Sequence, residues 1–375
     1  MKKKLYIAIM LLMVGLGYGR AAVTIPDAYT HSVDSLAMYI DCNCNNDREK
    51  VETIYTWIIN NLNYNLYTTF TSRNEPYSEE RELAHTLQTR EGVCRQFARL
   101  FIRVAERMGI PAYVVSGYNR HSTGGIMPEP HDWVAAKVNA KWYLYDPTFG
   151  MGYVENYKFF RRPQMKYCHM DPKEMIKTHM PYDPIWQLLP QPLTFDEFDN
   201  GLPHKPSAID CNFNDSIIAY TALPWIQQLV TAHRRVMSNG KGNRLTLYFL
   251  QLTESNIKVY RKQRVVNAHN AAMKYQNSAV DLYDAFINYK EASFKPVKEE
   301  ELVRNMLAKA EQAIREAERL HRSVIEIPEE YESAMSNLGA SIAETIAAID
   351  GQKDFLERYY KATKSQRRQM LKKPS

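Results

Sequence analysis

Three side chains that together can carry nucleophilic catalysis follow one another in this chain. Cys94 lies in Arg90-Glu91-Gly92-Val93-Cys94-Arg95-Gln96-Phe97-Ala98, His131 in His131-Asp132-Trp133, and Asp146 in Trp142-Tyr143-Leu144-Tyr145-Asp146-Pro147-Thr148. A thiol, an imidazole and a carboxylate are the parts of a nucleophile, its base and the group that orients the base. Singly, each has a plainer use. A cysteine on an amphipathic helix packs as a small hydrophobe, a histidine before a tryptophan is often structural, and Asp-Pro commonly starts a turn. The chemistry therefore depends on whether the surrounding elements bring the three together.

The spacing of Val51, Ile54, Tyr55, Ile58 and Leu62 predicts an amphipathic helix over residues 48–62, and that of Phe97, Phe101, Val104 and Met108 predicts another that starts near Cys94. Gly92 permits a tight entry into the second helix. The thiol then sits in a first turn whose N–H groups lack intrahelical acceptors, a position that suits developing negative charge on a bound acyl oxygen. Gly109 and Ile110-Pro111 stop that helix, and the β-branched and aromatic run Ala112 to Gly117 predicts a strand.

Residues 132–138 and 142–146 alternate in polarity on either side of Asn139-Ala140, which predicts a β-hairpin with Ala where Gly is preferred. If Val138 faces Lys141, Trp133 faces Asp146, and His131 lies on Trp133's own face. His131 and Asp146 are then diagonal neighbours roughly 7 to 8 Å apart between backbones. A one-residue slip would separate them.

Lys2, Lys3 and Lys4 precede an apolar run from Leu5 to about Leu16, with small residues at Gly17, Gly19, Ala21 and Ala22. That layout is a signal peptide over residues 1–21, too short to span a bilayer, and predicts an exported protein, periplasmic or secreted. No cysteine follows the run closely, so no lipid anchor is expected. The three lysines supply half of the formal net charge of +6, which leaves no nucleic-acid footprint. Five cysteines cannot all pair within one chain, and the pairing of Cys42, Cys44, Cys168 and Cys211 stays open. No set of close Cys and His residues completes four metal ligands, so no metal or cofactor is expected.

The Trp- and Pro-rich region ends where Asp199, Asn200, Gly201, Pro203 and Pro206 cluster, which predicts a boundary between residues 22–205 and 212–375. The second part reads as all-α and coiled-coil-like, with Val303, Leu307, Ala310, Ile314 and Ala317 at alternating four and three and breaks at 238–242, 294–296 and Pro328. His321 continues that stripe and reads as a packed histidine.

Thr89-Arg90-Glu91-Gly92-Val93-Cys94 with Phe97-Ala98, then His131-Asp132-Trp133-Val134, then Lys141-Trp142-Tyr143-Leu144-Tyr145-Asp146-Pro147-Thr148 resemble the three motifs of the transglutaminase-like superfamily. The stretch from Asp171-Pro172 through Thr178-His179-Met180-Pro181 to Leu189 resembles bacterial members similar to the kyphoscoliosis peptidase group. The resemblance implies an α+β fold, a papain-like transglutaminase core of helices on an antiparallel sheet, ahead of the helical domain. It implies Cys94 as nucleophile, His131 as base and Asp146 as orienter. Gln96 stands where the family often has a small residue. Tyr64 is a candidate oxyanion donor, with core packing as its plainer role.

These readings point to thiol acyl transfer on peptide or protein amides, with hydrolysis favoured over crosslinking and cell-wall peptides as one substrate class. The contrasting reading is a non-catalytic binding or scaffolding module with a vestigial triad, in which the helical domain meets a protein partner.

Overall fold

The computed structural model describes residues 23–66, 78–121, 124–205 and 210–371; the expected signal peptide lies outside them. Among the described residues no helix is long and apolar enough to cross a membrane. The elements that position the site run in order: helices α1 (Val33–Asn43) and α2 (Asp47–Asn61), strand β1 (Asn63–Tyr64), helix α3 (Glu79–Thr89), strand β2 (Glu91–Gly92) and helix α4 (Cys94–Arg107). Then come strands β3 (Ala112–Arg120), β4 (Ile126–Val138) and β5 (Lys141–Tyr145), the short helix α5 (Pro147–Met151), the hairpin β6 (Gly152–Glu155) and β7 (Lys158–Arg161), and strand β8 (His179–Pro181). The result is α+β, as the motifs implied.

Helix α4 forms because its apolar residues recur on one face: Phe97, Ala98, Leu100, Phe101, Val104 and Ala105 are fully buried. That face packs in one cluster with Ile54, Tyr55 and Ile58 of α2 and with Val134, Ala136 and Val138 of β4. Burying each such large side chain stabilises by about 1.5–3 kcal/mol. The helix closes at Met108, followed by Gly109 at φ 74°, a left-handed conformation that glycine adopts without strain.

The main sheet has the order β5-β4-β3-β8, antiparallel throughout. In the β4–β5 hairpin Val138 pairs with Lys141 and Val134 with Tyr145, the register expected from the alternation. Asn139 (φ 49°) and Ala140 (φ 65°) are both left-handed, as a two-residue hairpin turn of matching twist requires. Gly117 of β3 pairs with His131 on one side and Pro181 of β8 on the other. A Cβ on Gly117 would stand 2.1 Å from the Met180 carbonyl oxygen and 2.6 Å from the Trp133 ring. Only a residue without a side chain lets β8 and Trp133 close over β3 there.

The chain divides into two compact units, one taking residues up to Pro224 together with Thr231–Leu250, the other Trp225–Val230 with Gln251–Ser375. The composition change at 200–212 lies inside the first unit. Beyond it Ile217 packs with Trp133, Trp142 and Trp186, and Val236 and Leu245 pack with Tyr118 and Phe195. Arg235 donates to both oxygens of the buried Asp183, at 2.8 and 2.6 Å, and Trp142 Nε1 donates to Asn214 Oδ1 at 2.8 Å. In the second unit, helix Glu300–Arg322 buries Val303, Leu307, Ala310, Ile314 and Ala317 against residues of Glu329–Lys361 and of the long helix Arg244–Glu291. His321 is packed, with Nε2 at 2.8 Å from the Met335 carbonyl oxygen.

Two substitutions check this account of the sheet. Ala140→Gly should raise stability by about 1 kcal/mol by relieving a left-handed alanine, read as a higher urea midpoint at unchanged slope. Gly117→Ala should destabilise by about 3 kcal/mol through overpacking between β8 and Trp133.

Candidate active site

Cys94 is the first residue of α4. The chain reaches it from α3 by way of Arg90 (φ 59°), and β2 then pairs in parallel with β1, setting Tyr64 beside Gly92. A Cβ on Gly92 would stand 3.0 Å from the Phe97 ring, so the glycine serves a close approach of backbone to core here. Gln96 Oε1 accepts from the Val93 N–H at 3.0 Å, and its Nε2 donates to Glu82 Oε1 of α3 at 2.7 Å. Gln96 thus caps the helix that begins at Cys94 and ties it to α3.

His131 lies on β4 opposite Gly117, its ring stacked on Trp133 (6.0 Å between centroids) and 5.0 Å from Phe149. The fully buried Asp146 ends β5 and caps α5, with Oδ1 accepting from the Phe149 N–H at 3.0 Å. Its Oδ2 accepts from His131 Nε2 at 2.8 Å. Cys94 stands close enough to the same imidazole to help raise its proton affinity. All three expected site residues therefore meet. Asp132, adjacent in sequence, instead accepts from Ser116 Oγ at 2.6 Å and from Arg95 Nε at 3.4 Å.

Tyr64 is half-buried, its ring 6.3 Å from both Phe97 and Phe159. It flanks the approach to the thiol through its pairing with Gly92, and its ring belongs to the core.

Sequence reasoning missed a fourth member. His179 on β8 is fully buried, and its Nε2 lies 3.0 Å from the same Asp146 Oδ2 that holds His131. Its Nδ1 lies 2.8 Å from Thr178 Oγ. No local spacing marks it, because β8 joins the site by pairing with β3, Asn119 opposite His179. The signal within reach was the His-Met-Pro run of an otherwise unexplained motif.

The two histidines differ in proton affinity. Burial pushes His131 down, but the Asp146 charge and hydrogen bond, and then the Cys94 thiol, hold it well above its ordinary 6.5. For His179 burial dominates and lowers the value, aided by the His131 charge and opposed by Asp146. Burial pushes Asp146 up, yet His131 and His179 hold it well below the ordinary 3.8.

The ligand atoms of His131, Asp146 and His179 lie within 4.8 Å of one another, a set of metal-ligand types. Separations of 2.8 and 3.0 Å from Oδ2 to the ring nitrogens are hydrogen-bond lengths, so the carboxylate oxygen is already shared by two N–H donors. A cation would have to displace two shared protons. His169 is engaged elsewhere, with Nδ1 at 2.7 Å from the Tyr145 hydroxyl and its ring stacked on Tyr143. All five cysteines are free thiols.

A half-buried helix-start thiol beside an imidazole and a carboxylate on one antiparallel sheet makes a Cys-His-Asp class of site. Residues 34–147 match the Transglutaminase-like superfamily, so the chain carries a transglutaminase-like domain. It is 27% identical over 180 residues to the kyphoscoliosis peptidase of Homo sapiens, covering 46% of this chain and 27% of that protein. It is 23% identical over 202 residues to hillarin of Drosophila melanogaster, covering 48% of this chain and 24% of that one. The chain thus spans about a quarter of the length of these relatives. Among solved structures, a proposed cysteine protease of Cytophaga hutchinsonii is 29% identical with a TM-score of 0.25, covering 33% of this chain and 40% of that one.

The electrostatics fix the sign of the pH dependence. Asp146, lowered on folding, contributes stability that is full above pH 3.8 and lost as pH falls through its depressed value. His131, raised on folding, contributes stability that is full below pH 6.5 and lost as pH rises through its elevated value. Asp146→Asn should cost about 3 kcal/mol and abolish the alkaline decline, because the charge that raises His131 is gone. Thermal melts against pH, wild type beside variant, read both.

Proposed function

We propose that this chain is an exported thiol acyl-transfer enzyme acting on amide bonds of peptides or proteins, with water favoured over an amine as acceptor. The observation that carries the reading is that Asp146 hydrogen-bonds His131 while Cys94 stands beside the same imidazole. In the proposed reaction the Cys94 thiol passes its proton to His131 as sulfur attacks the amide carbonyl. Asp146 stabilises the imidazolium so formed. First-turn N–H groups of α4 meet the oxyanion, an effect worth about 3 kcal/mol per donor, and Tyr64 is the candidate second donor.

His131 then gives the proton to the departing amine as the C–N bond breaks, leaving a thioester. Water, deprotonated by His131, attacks that thioester and releases acid and free thiol. Hydrolysis is favoured because amine transfer needs a channel that excludes water, and no feature of the described residues supplies one. The similarity to a protein named a peptidase supports the same choice. Peptide stems of the cell wall are the proposed substrate class in the exported compartment. The helical unit is the proposed partner-binding part, and its removal should abolish partner binding while small-amide hydrolysis persists.

Activity-based capture tests the reading. An acyl-enzyme should be trapped on Cys94 from wild-type protein and be absent from Cys94→Ala. His131→Ala should slow alkylation of Cys94 by about 10²-fold or more. A folded wild-type protein whose Cys94 reacts no faster than a free thiol, with or without His131, would mean a scaffold.

A further inference from the structure

We infer that His179 is a positioning residue of this site: an N–H donor through Nε2 that holds the Asp146 carboxylate in line with His131 and leaves His131 the single proton carrier. The inference rests on the triad reading above and adds to it a residue, a tautomer and a role. Three observations carry it.

The first is geometric. Asp146 Oδ2 accepts from both imidazoles, at 2.8 Å from His131 and 3.0 Å from His179, and Oδ1 accepts from the Phe149 N–H at 3.0 Å. The His179 contact adds a second donor to Oδ2, from β8. The second is the wiring of His179 itself. Its Nε2 has only an acceptor to meet, so Nε2 carries the proton, and Nδ1 then accepts from the Thr178 hydroxyl at 2.8 Å. The hydroxyl's other acceptor, the Met175 carbonyl oxygen, stands at 3.5 Å, so the shorter bond takes the proton. A second proton on the ring, at Nδ1, would force the Thr178 hydroxyl to turn its own proton to the Met175 carbonyl oxygen at 3.5 Å, a longer and weaker bond.

The third is the surroundings. The His179 ring is enclosed by Trp133 of β4 at 5.3 Å, Phe149 of α5 at 5.2 Å and Tyr167 at 6.1 Å between centroids. The titratable groups around it are Asp146, His131 at 5.9 Å between rings, and Tyr167, with Tyr55 of α2 coupled through Asp146. One anion thus faces two imidazoles, and a charge on one opposes a charge on the other. The thiol lies against His131, so that ring takes the charge and His179 stays neutral. Trp133 reaches both rings only because Gly117 has no side chain in its path.

The test is ring-nitrogen NMR of the full chain, paired with iodoacetamide alkylation of Cys94. In the wild type, His179 should keep a protonated Nε2 and a bare Nδ1 across the whole pH range in which His131 titrates. His179→Leu should slow Cys94 alkylation about 10- to 100-fold, and His179→Gln, whose amide can offer the same N–H, should recover the rate to within about 3-fold. A His179 that is charged or carries its proton on Nδ1 overturns the proposal, and so does a folded His179→Leu protein that alkylates at the wild-type rate. If His179→Leu does not fold, the tautomer in the wild type and the rate of His179→Gln decide. His131→Ala separates the two readings. A slow His131→Ala beside a wild-type rate in His179→Leu overturns this proposal alone, whereas a wild-type rate in His131→Ala overturns the triad reading with it.

Discussion

A carboxylate with no exposure to water is the constraint on which this site depends. Burial of Asp146 opposes its charge, and an unpaired anion there would take up a proton instead. Three N–H donors and the charge on His131 hold it ionised. Those donors come from β4, from the first turn of α5 and from β8, so the anion draws three separate elements to one point. Each must sit within hydrogen-bond reach for the others to be stable.

One anion shared by two imidazoles divides their chemistry. His131 gains proton affinity from the carboxylate and from the thiol beside it, and His179 loses it to burial and to the charge on His131. The same side chain in two environments thus acquires opposite shifts in proton affinity. The thiol's own position is set by different means. The pairing of β1 with β2, the contact of Gly92 with Phe97 and the cap supplied by Gln96 fix the start of α4.

The match to the transglutaminase-like superfamily ends at residue 147, just past Asp146. His179 lies beyond it, as do the segments 213–221 and 231–250, whose apolar residues complete the core around Trp133 and Tyr118. The shared motif therefore carries the three aligned groups, and the residues after it supply what encloses them. The Arg235–Asp183 pair belongs to that enclosure, since the guanidinium satisfies both oxygens of a carboxylate that burial would otherwise neutralise.

The sequence by itself determined what rests on short-range periodicity. The start of a helix at Cys94, the turn at Asn139-Ala140, the pairing of Val138 with Lys141 and the buried stripe from Val303 to Ala317 all follow from where apolar side chains recur. Because strand register moves every side chain at once, the same alternation brought His131 to Asp146. The tertiary structure alone decided that β8 would pair with β3 and deliver His179, that Gln96 would reach Glu82, and that residues past 212 would return to the first core. Those contacts join segments far apart in the chain, and their partners are chosen by shape and by the need to satisfy buried polar groups, neither of which leaves a repeat in the sequence.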